Sequence, residues 1–122
     1  MKITMIGSGY VGLVSGSCFS EFGVEVVCVD KDRSKIDCLR KGKIPIYEPE
    51  LDAIVTKNLE AGRLKFTTEL KSAVQDADAI FIAVGTPSRR GDGHADLSFV
   101  YDAAKEIASV MEGYTIIVTK ST

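Results

Sequence analysis

What this chain has little of narrows its chemistry before any motif is considered. Neither sign of charge dominates: 17 acidic residues against 15 basic ones, with a single histidine, leave a formal net charge of −2. Nucleic-acid binders carry a basic excess gathered on one face. Here the longest unbroken basic groupings are the pairs Arg40-Lys41 and Arg89-Arg90, so no nucleic acid is expected among the partners. Long apolar runs are missing too. No stretch nears the roughly 20 residues that cross a bilayer, and the opening run Met1–Ile6 breaks at Gly7 without a small-residue cleavage site after it. No membrane partner is expected, and the protein is expected to be cytoplasmic. Cysteine is sparse, with Cys18, Cys28 and Cys38 forming no C-x-x-C pair, which reads as reduced thiols and not as a disulfide framework or a zinc site. His94 stands without a second His, a Cys or paired carboxylates at ligand spacing, so it is assigned neither metal nor general-base work and no metal site is expected.

What is present suits one globular domain. With 122 residues, 45% of them hydrophobic, the chain can bury roughly 65 to 70% of its unfolded surface and needs no covalent or metal staple. Internal repeats, low-complexity tracts and linkers are absent. Apolar runs of strand length alternate with stretches of helical period, the pattern of βαβ units around a parallel sheet.

Residues 2–6 read as a first strand. Val11, Val14, Cys18 and Phe22 then share one helix face, and Gly23 closes that helix. Val24–Val29 form a second strand, apolar on both faces apart from Glu25. Asp32 caps a helix running to about Arg40. Gly42–Glu48 is extended, and Pro49 stands as the first residue of a third helix carrying Leu51, Ile54, Val55 and Leu59, with Gly62 ending it. Leu64–Thr67 make a third strand. Thr67 or Thr68 caps a helix through Val74, and Ala79–Val84 form a fourth strand. The irregular stretch Gly85–Ala95 follows, with Arg89, Arg90, Asp92 and His94; it reads as a lid, a subunit contact or an ordinary mobile loop. Asp96 caps a last helix striped by Leu97, Val100, Ala104, Ile107, Ala108 and Met111. Beyond Gly113, Tyr114–Val118 are a fifth strand.

The chemistry concentrates where the first strand meets the first helix. Gly7-Ser8-Gly9-Tyr10-Val11-Gly12 matches G-x-G-x-x-G in the strand-to-helix setting that gives this pattern meaning. Gly7 permits a tight turn, Gly9 carries no Cβ to obstruct a pyrophosphate, and Gly12 lets the helix lie close on the strand. The helix N-terminus supplies N–H groups and about half a positive charge to phosphates, so no lysine is needed there. Asp30 ends the second strand eighteen residues beyond Gly12, near the roughly 20-residue offset at which a carboxylate accepts from the adenosine ribose. A carboxylate there repels a 2′-phosphate, so NAD is expected over NADP, with Lys31 and Arg33 nearby softening the exclusion.

Five stretches in order, Gly7–Leu13, Val29-Asp30, Ile46–Pro49, Val84–Ser88 and Thr119–Thr122, resemble the N-terminal NAD-binding domain of UDP-glucose 6-dehydrogenases in the UDP-glucose/GDP-mannose dehydrogenase family. The resemblance covers the whole chain, and residues 85–97 look particularly close to bacterial members. It implies oxidation of the C6 alcohol of UDP-glucose to the carboxylate of UDP-glucuronate with two NAD, through a thioester on a cysteine of the C-terminal half. Cys18, Cys28 and Cys38 do not match that cysteine and read as buried structural thiols. The expected fold is a doubly wound α/β Rossmann-type parallel sheet in order 3-2-1-4-5, helices on both faces. Residues 1–122 are then the NAD-binding domain of a longer, homo-oligomeric parent whose central and C-terminal catalytic domains lie outside this chain. Cofactor contacts carried over by resemblance, with the glycine turn and Asp30, are Gly7, Gly9, Tyr10, Val11, Gly12, Asp30, Lys35, Thr86 and Ser121. Thr122 resembles a threonine placed near the reacting carbon. Glu48 and Pro49 read equally as helix-start residues or, for Glu48, as a substrate contact. Related dehydrogenases of GDP-mannose and UDP-N-acetylmannosamine share most of the motifs. A non-catalytic dinucleotide-sensing domain would show the same glycine turn, as would a methyltransferase, though the latter lacks support after the fourth strand.

Overall fold

A computed structural model describes residues 1–89 and 91–120. Its elements are β1 (Lys2–Ile6), α1 (Tyr10–Glu21), β2 (Glu25–Val29), α2 (Arg33–Arg40), α3 (Leu51–Glu60), β3 (Leu64–Thr67), α4 (Leu70–Val74), β4 (Ala79–Ile82), α5 (Ser98–Val110) and β5 (Ile116–Thr119). The five strands form one sheet in the order β3-β2-β1-β4-β5, every neighbouring pair parallel. Ile6 pairs with Val29 on one side and Ile82 on the other. The central strands therefore end level, and the segments leaving them share one rim.

Strand alternation divides the core between two faces. Ile3, Met5, Val26, Cys28, Leu64 and Phe66 meet Leu13 of α1, Ile36 and Leu39 of α2, and Leu51 and Val55 of α3. Ile6, Val27, Val29, Ile80 and Ile82 meet Ala73 and Val74 of α4 and Ala103 and Ile107 of α5. Coverage on both faces is why β1, β2 and β4 read as nearly unbroken apolar runs. Thr4, fully buried, escapes the penalty of burying a hydroxyl by donating it to the Ala73 carbonyl.

Several elements differ from the sequence reading. The face that α1 buries is Gly12, Leu13, Gly16, Ser17 and Ser20, whereas Cys18 is exposed and Phe22 is 85% exposed. Small residues define this face because the helix lies almost on the sheet: a Cβ on Gly16 would stand 2.9 Å from the Cys28 Sγ. A pattern search for large apolar residues selects the wrong stripe. Of the three thiols only Cys28 is buried, and its burial pushes the thiol pKa up to about 12, which makes it inert; Cys18 and Cys38 are exposed.

Helix α3 starts at Leu51 and not at Pro49, because Glu50 adopts a left-handed conformation (φ 69°) that separates proline from helix. The Thr67 hydroxyl accepts the Glu69 amide at 3.0 Å, yet α4 begins only at Leu70. β4 stops at Ile82, two residues short of Val84. β5 starts at Ile116, whose amide bonds the Asp78 carbonyl (3.2 Å), leaving Tyr114 outside the ladder. In α5 the Asp96 carboxylate does accept the Ser98 amide (2.9 Å), but Leu97 occupies the cap position and is itself exposed. The buried side of α5 is Ala103 and Ile107 with Val100, Val110 and Met111 packed beside them, while Ala104 and Ala108 are exposed. Contact with α4 and the sheet, and not the apolar stripe alone, sets the helix rotation.

Candidate cofactor site

The turn from β1 to α1 is built by close backbone contact. Gly7 takes φ +100°, donates its amide to the Val29 carbonyl (2.8 Å), and leaves so little room that a Cβ would lie 2.7 Å from the Ala83 carbonyl oxygen. Gly9 is the N-cap of α1, in extended conformation, and no side chain caps the helix. The first turn of α1 contains no acidic residue either. Its amides and the positive end of the helix dipole are thus left to an anion. Gly12 lies beneath, where its Cα faces the Gly7 carbonyl. It serves the approach of helix to strand and does not line the cavity.

Asp30 stands across the turn, at the end of β2. Its Oδ2 accepts the Ser8 amide (3.0 Å), the Ser8 hydroxyl (2.7 Å) and, loosely, the Lys35 ammonium (3.5 Å), while Oδ1 accepts the Asp32 amide (3.0 Å). Partial burial by itself would raise the Asp30 pKa. The donors from Asp32, Ser8 and Lys35 outweigh that and hold it below the usual carboxylate range. The group is therefore an anion at neutral pH, and Oδ1, with a single donor, keeps a lone pair for a hydroxyl. Replacing Asp30 with alanine is expected to weaken NAD binding roughly tenfold to a hundredfold, the worth of one or two charge-assisted hydrogen bonds; equal affinities of the two proteins by calorimetry would refute this placement.

Between turn and acid opens a cavity of about 780 Å³, lined along the rim by Gly7, Ser8, Gly9, Tyr10 and Val11, by Asp30, Lys31 and Lys35, and by Val84, Gly85, Thr86 and Pro87. A Cβ on Gly9 would meet no atom within 4 Å beyond its chain neighbours. Of the candidate contacts, the structure brings Gly7, Gly9, Tyr10, Val11, Asp30, Lys35 and Thr86 around one space, and leaves Gly12 under it. Ser121 and Thr122 lie outside the described residues. The volume and lining suit a dinucleotide, with phosphates at the helix end and a ribose at Asp30. NAD bound here would supply hydride acceptance, and the residues around the cavity would hold and orient it.

Other contributors carry no local signal in the sequence. Ser8 is fully buried and fixes Asp30 with both its amide and its hydroxyl. Phe99, Asp102 and Glu106 bring α5 into the wall. Tyr10 donates to Glu48 Oε2 at 2.9 Å, which ties the 42–50 segment to the start of α1 and, through that hydrogen bond first, raises the phenol pKa. The segment 85–95 closes on itself by a Ser88–Ala95 bridge, an Arg89 amide bond to His94 O (2.6 Å) and an Arg89–Asp92 ion pair (2.6 Å); Arg90 is outside the described residues. Among the described residues no three His, Cys, Asp or Glu side chains gather as metal ligands, and no helix is long and apolar enough to cross a membrane.

Comparison with known proteins gives the family. The family model described as the UDP-glucose/GDP-mannose dehydrogenase family, NAD binding domain, matches residues 1–122. A UDP-glucose 6-dehydrogenase of Rhizobium meliloti is 67% identical over 100% of this chain and 28% of its own length. The UDP-glucose 6-dehydrogenase TuaD of Bacillus subtilis is 54% identical over 99% of the chain and 26% of its length. Among solved structures, the ternary complex of GDP-mannose dehydrogenase from Pseudomonas aeruginosa superposes with a TM-score of 0.95 at 41% identity, covering 100% of this chain and 28% of that one. The chain thus spans between a quarter and a third of each of these three relatives. With a family match over its whole length and a glycine turn, acid and open rim in the positions an NAD site requires, this chain belongs to the UDP-glucose/GDP-mannose dehydrogenase family, as an NAD-binding domain.

Proposed function

We propose that the chain is the NAD-binding half of a UDP-glucose 6-dehydrogenase, which oxidises UDP-glucose to UDP-glucuronate with two NAD. The observation that carries this reading is the clasp between Ser8 and Asp30: it holds an ionised carboxylate facing a helix N-terminus with no side-chain cap, within one cavity. In the proposed pose the pyrophosphate lies against Gly7, Gly9, Tyr10 and Val11, with Gly12 allowing the helix its approach. Asp30 and Lys35 take the adenosine ribose. Thr86 and Ser121 take the nicotinamide side, and Thr122 stands near the reacting carbon. The Rhizobium relative's name supports UDP-glucose as the sugar nucleotide. The similarity to a GDP-mannose dehydrogenase structure supports GDP-mannose as the second reading. Residues 1–122 form the cofactor domain of a longer, cytoplasmic homo-oligomer, with neither nucleic acid nor membrane as partner, and the nucleophilic cysteine belongs to segments beyond them.

Incubating the full-length protein with NAD and UDP-glucose, and in parallel with GDP-mannose or UDP-N-acetylmannosamine, tests this directly. About two NADH per UDP-glucose are expected. Turnover with another sugar nucleotide alone would reassign the substrate, and NAD binding without turnover on any of them would favour a sensor. Residues 1–122 by themselves are expected to bind NAD weakly and produce no NADH.

A further inference from the structure

Lys31 directly follows Asp30, at the point of the rim where a basic side chain would accommodate a 2′-phosphate. From sequence alone it softens the exclusion of NADP. The structure commits it elsewhere: its ammonium is 2.6 Å from Glu106 Oε1 on α5, and Asp102, one turn earlier on that helix, adds a second negative charge that favours the ammonium. Lys31, Asp102 and Glu106 all line the cavity, on its α5 side. Arg33 is exposed on α2 and does not line it, and Lys35, which does, has its ammonium 3.5 Å from Asp30 Oδ2.

We propose that Glu106 is a specificity-determining residue, which sharpens the preference for NAD over NADP by drawing Lys31 onto α5 and away from the ribose 2′ position. Asp30 repels a 2′-phosphate and itself engages Lys35 (3.5 Å), and Glu106 withholds Lys31, the cation next to Asp30 in the chain. The device acts through charge in a largely solvated setting, since the Lys31 side chain is 81% exposed. Its effect is accordingly a matter of severalfold, and it fades with salt. This inference rests on the dinucleotide reading of the cavity proposed above.

The test measures the dissociation constants of NAD and NADP by calorimetry at low ionic strength, for the full-length protein and its variants. In Glu106→Gln, and further in Asp102→Asn/Glu106→Gln where no α5 carboxylate remains to hold Lys31, the NADP-to-NAD ratio of dissociation constants is expected to fall about three- to fivefold. Adding Lys31→Ala to either variant is expected to cancel the gain, and raising the salt to shrink it. Because the readout is a ratio, a general weakening of binding does not imitate the effect. An unchanged ratio in both carboxylate variants, or the same fall in the Lys31→Ala background, overturns the proposal while leaving the NAD site standing. Failure of the unaltered protein to bind NAD would overturn the reading of the cavity and this proposal with it.

Discussion

Replacing Gly9 with valine is expected to weaken NAD binding by at least about a hundredfold, with a change in folding stability of no more than about 1 kcal/mol. The two halves of this expectation come from the same measurement. A Cβ at Gly9 would meet no atom within 4 Å beyond its chain neighbours, and the backbone there (φ −75°, ψ −163°) is extended and not left-handed. The fold therefore has no steric need of glycine at this position; the only expected penalty is that valine is a poorer N-cap. What the missing side chain leaves open is the space in front of the first amides of α1, where a pyrophosphate must come within hydrogen-bonding distance of the backbone. A branched side chain fills that space with carbon. Calorimetric titration reads the loss of binding, and a urea melt with circular dichroism reads the stability. Undiminished NAD binding in Gly9→Val would mean that the phosphates do not lie at this turn.

Gly12→Ala is expected to do the reverse and destabilise the chain by about 3 kcal/mol or more, lowering the urea midpoint by about 1–2 M. Two effects oppose each other at this position. Alanine within a helix is intrinsically favoured over glycine by about 1 kcal/mol. Against that, a Cβ at Gly12 would stand 1.9 Å from the carbonyl oxygen of Gly7 and 3.4 Å from the Met5 side chain. The first distance is far inside van der Waals contact, and the atom it meets belongs to a backbone already constrained by the Gly7–Val29 hydrogen bond of 2.8 Å. Helix and strand must move apart, so the packing cost outweighs the gain in propensity. An unaltered or raised midpoint in Gly12→Ala would show that α1 can shift at little cost. Together the two variants separate a glycine required by a ligand from one required by the fold, although the motif presents them identically.

The elements themselves are largely visible in the sequence because their causes are local. β1, β2 and β4 are apolar on both faces since helices cover both, and Gly23 and Gly62 end their helices with positive φ of 95° and 77°. The rotation of each helix is less legible. In α1 the buried stripe consists of glycines and serines, which hydrophobic periodicity passes over, and in α5 alanines at the expected spacing face outward because α4 and the sheet contact the neighbouring stripe. Cys18 and Cys38 are exposed because their helices bury other positions, Gly12, Leu13 and Gly16 in α1 and Ile36 and Leu39 in α2. The start of α3 was hidden for another reason. A left-handed Glu50 is not a residue type that announces such a turn.

Read from residues alone, the chain already determines an alternating α/β domain, a glycine turn suited to a pyrophosphate and an acid at ribose distance from it. Each of these depends on short-range spacing and on which side chains are missing. Only the folded chain decides how that acid is held and which charges surround it. Asp30 is fastened by Ser8 from twenty-two residues away, Tyr10 by Glu48 from thirty-eight, and Lys31 by Glu106 from seventy-five. Such pairs arise because a parallel sheet sets distant strand ends and helices side by side along one rim, and no periodicity in the sequence encodes which of many carboxylates will meet a given lysine.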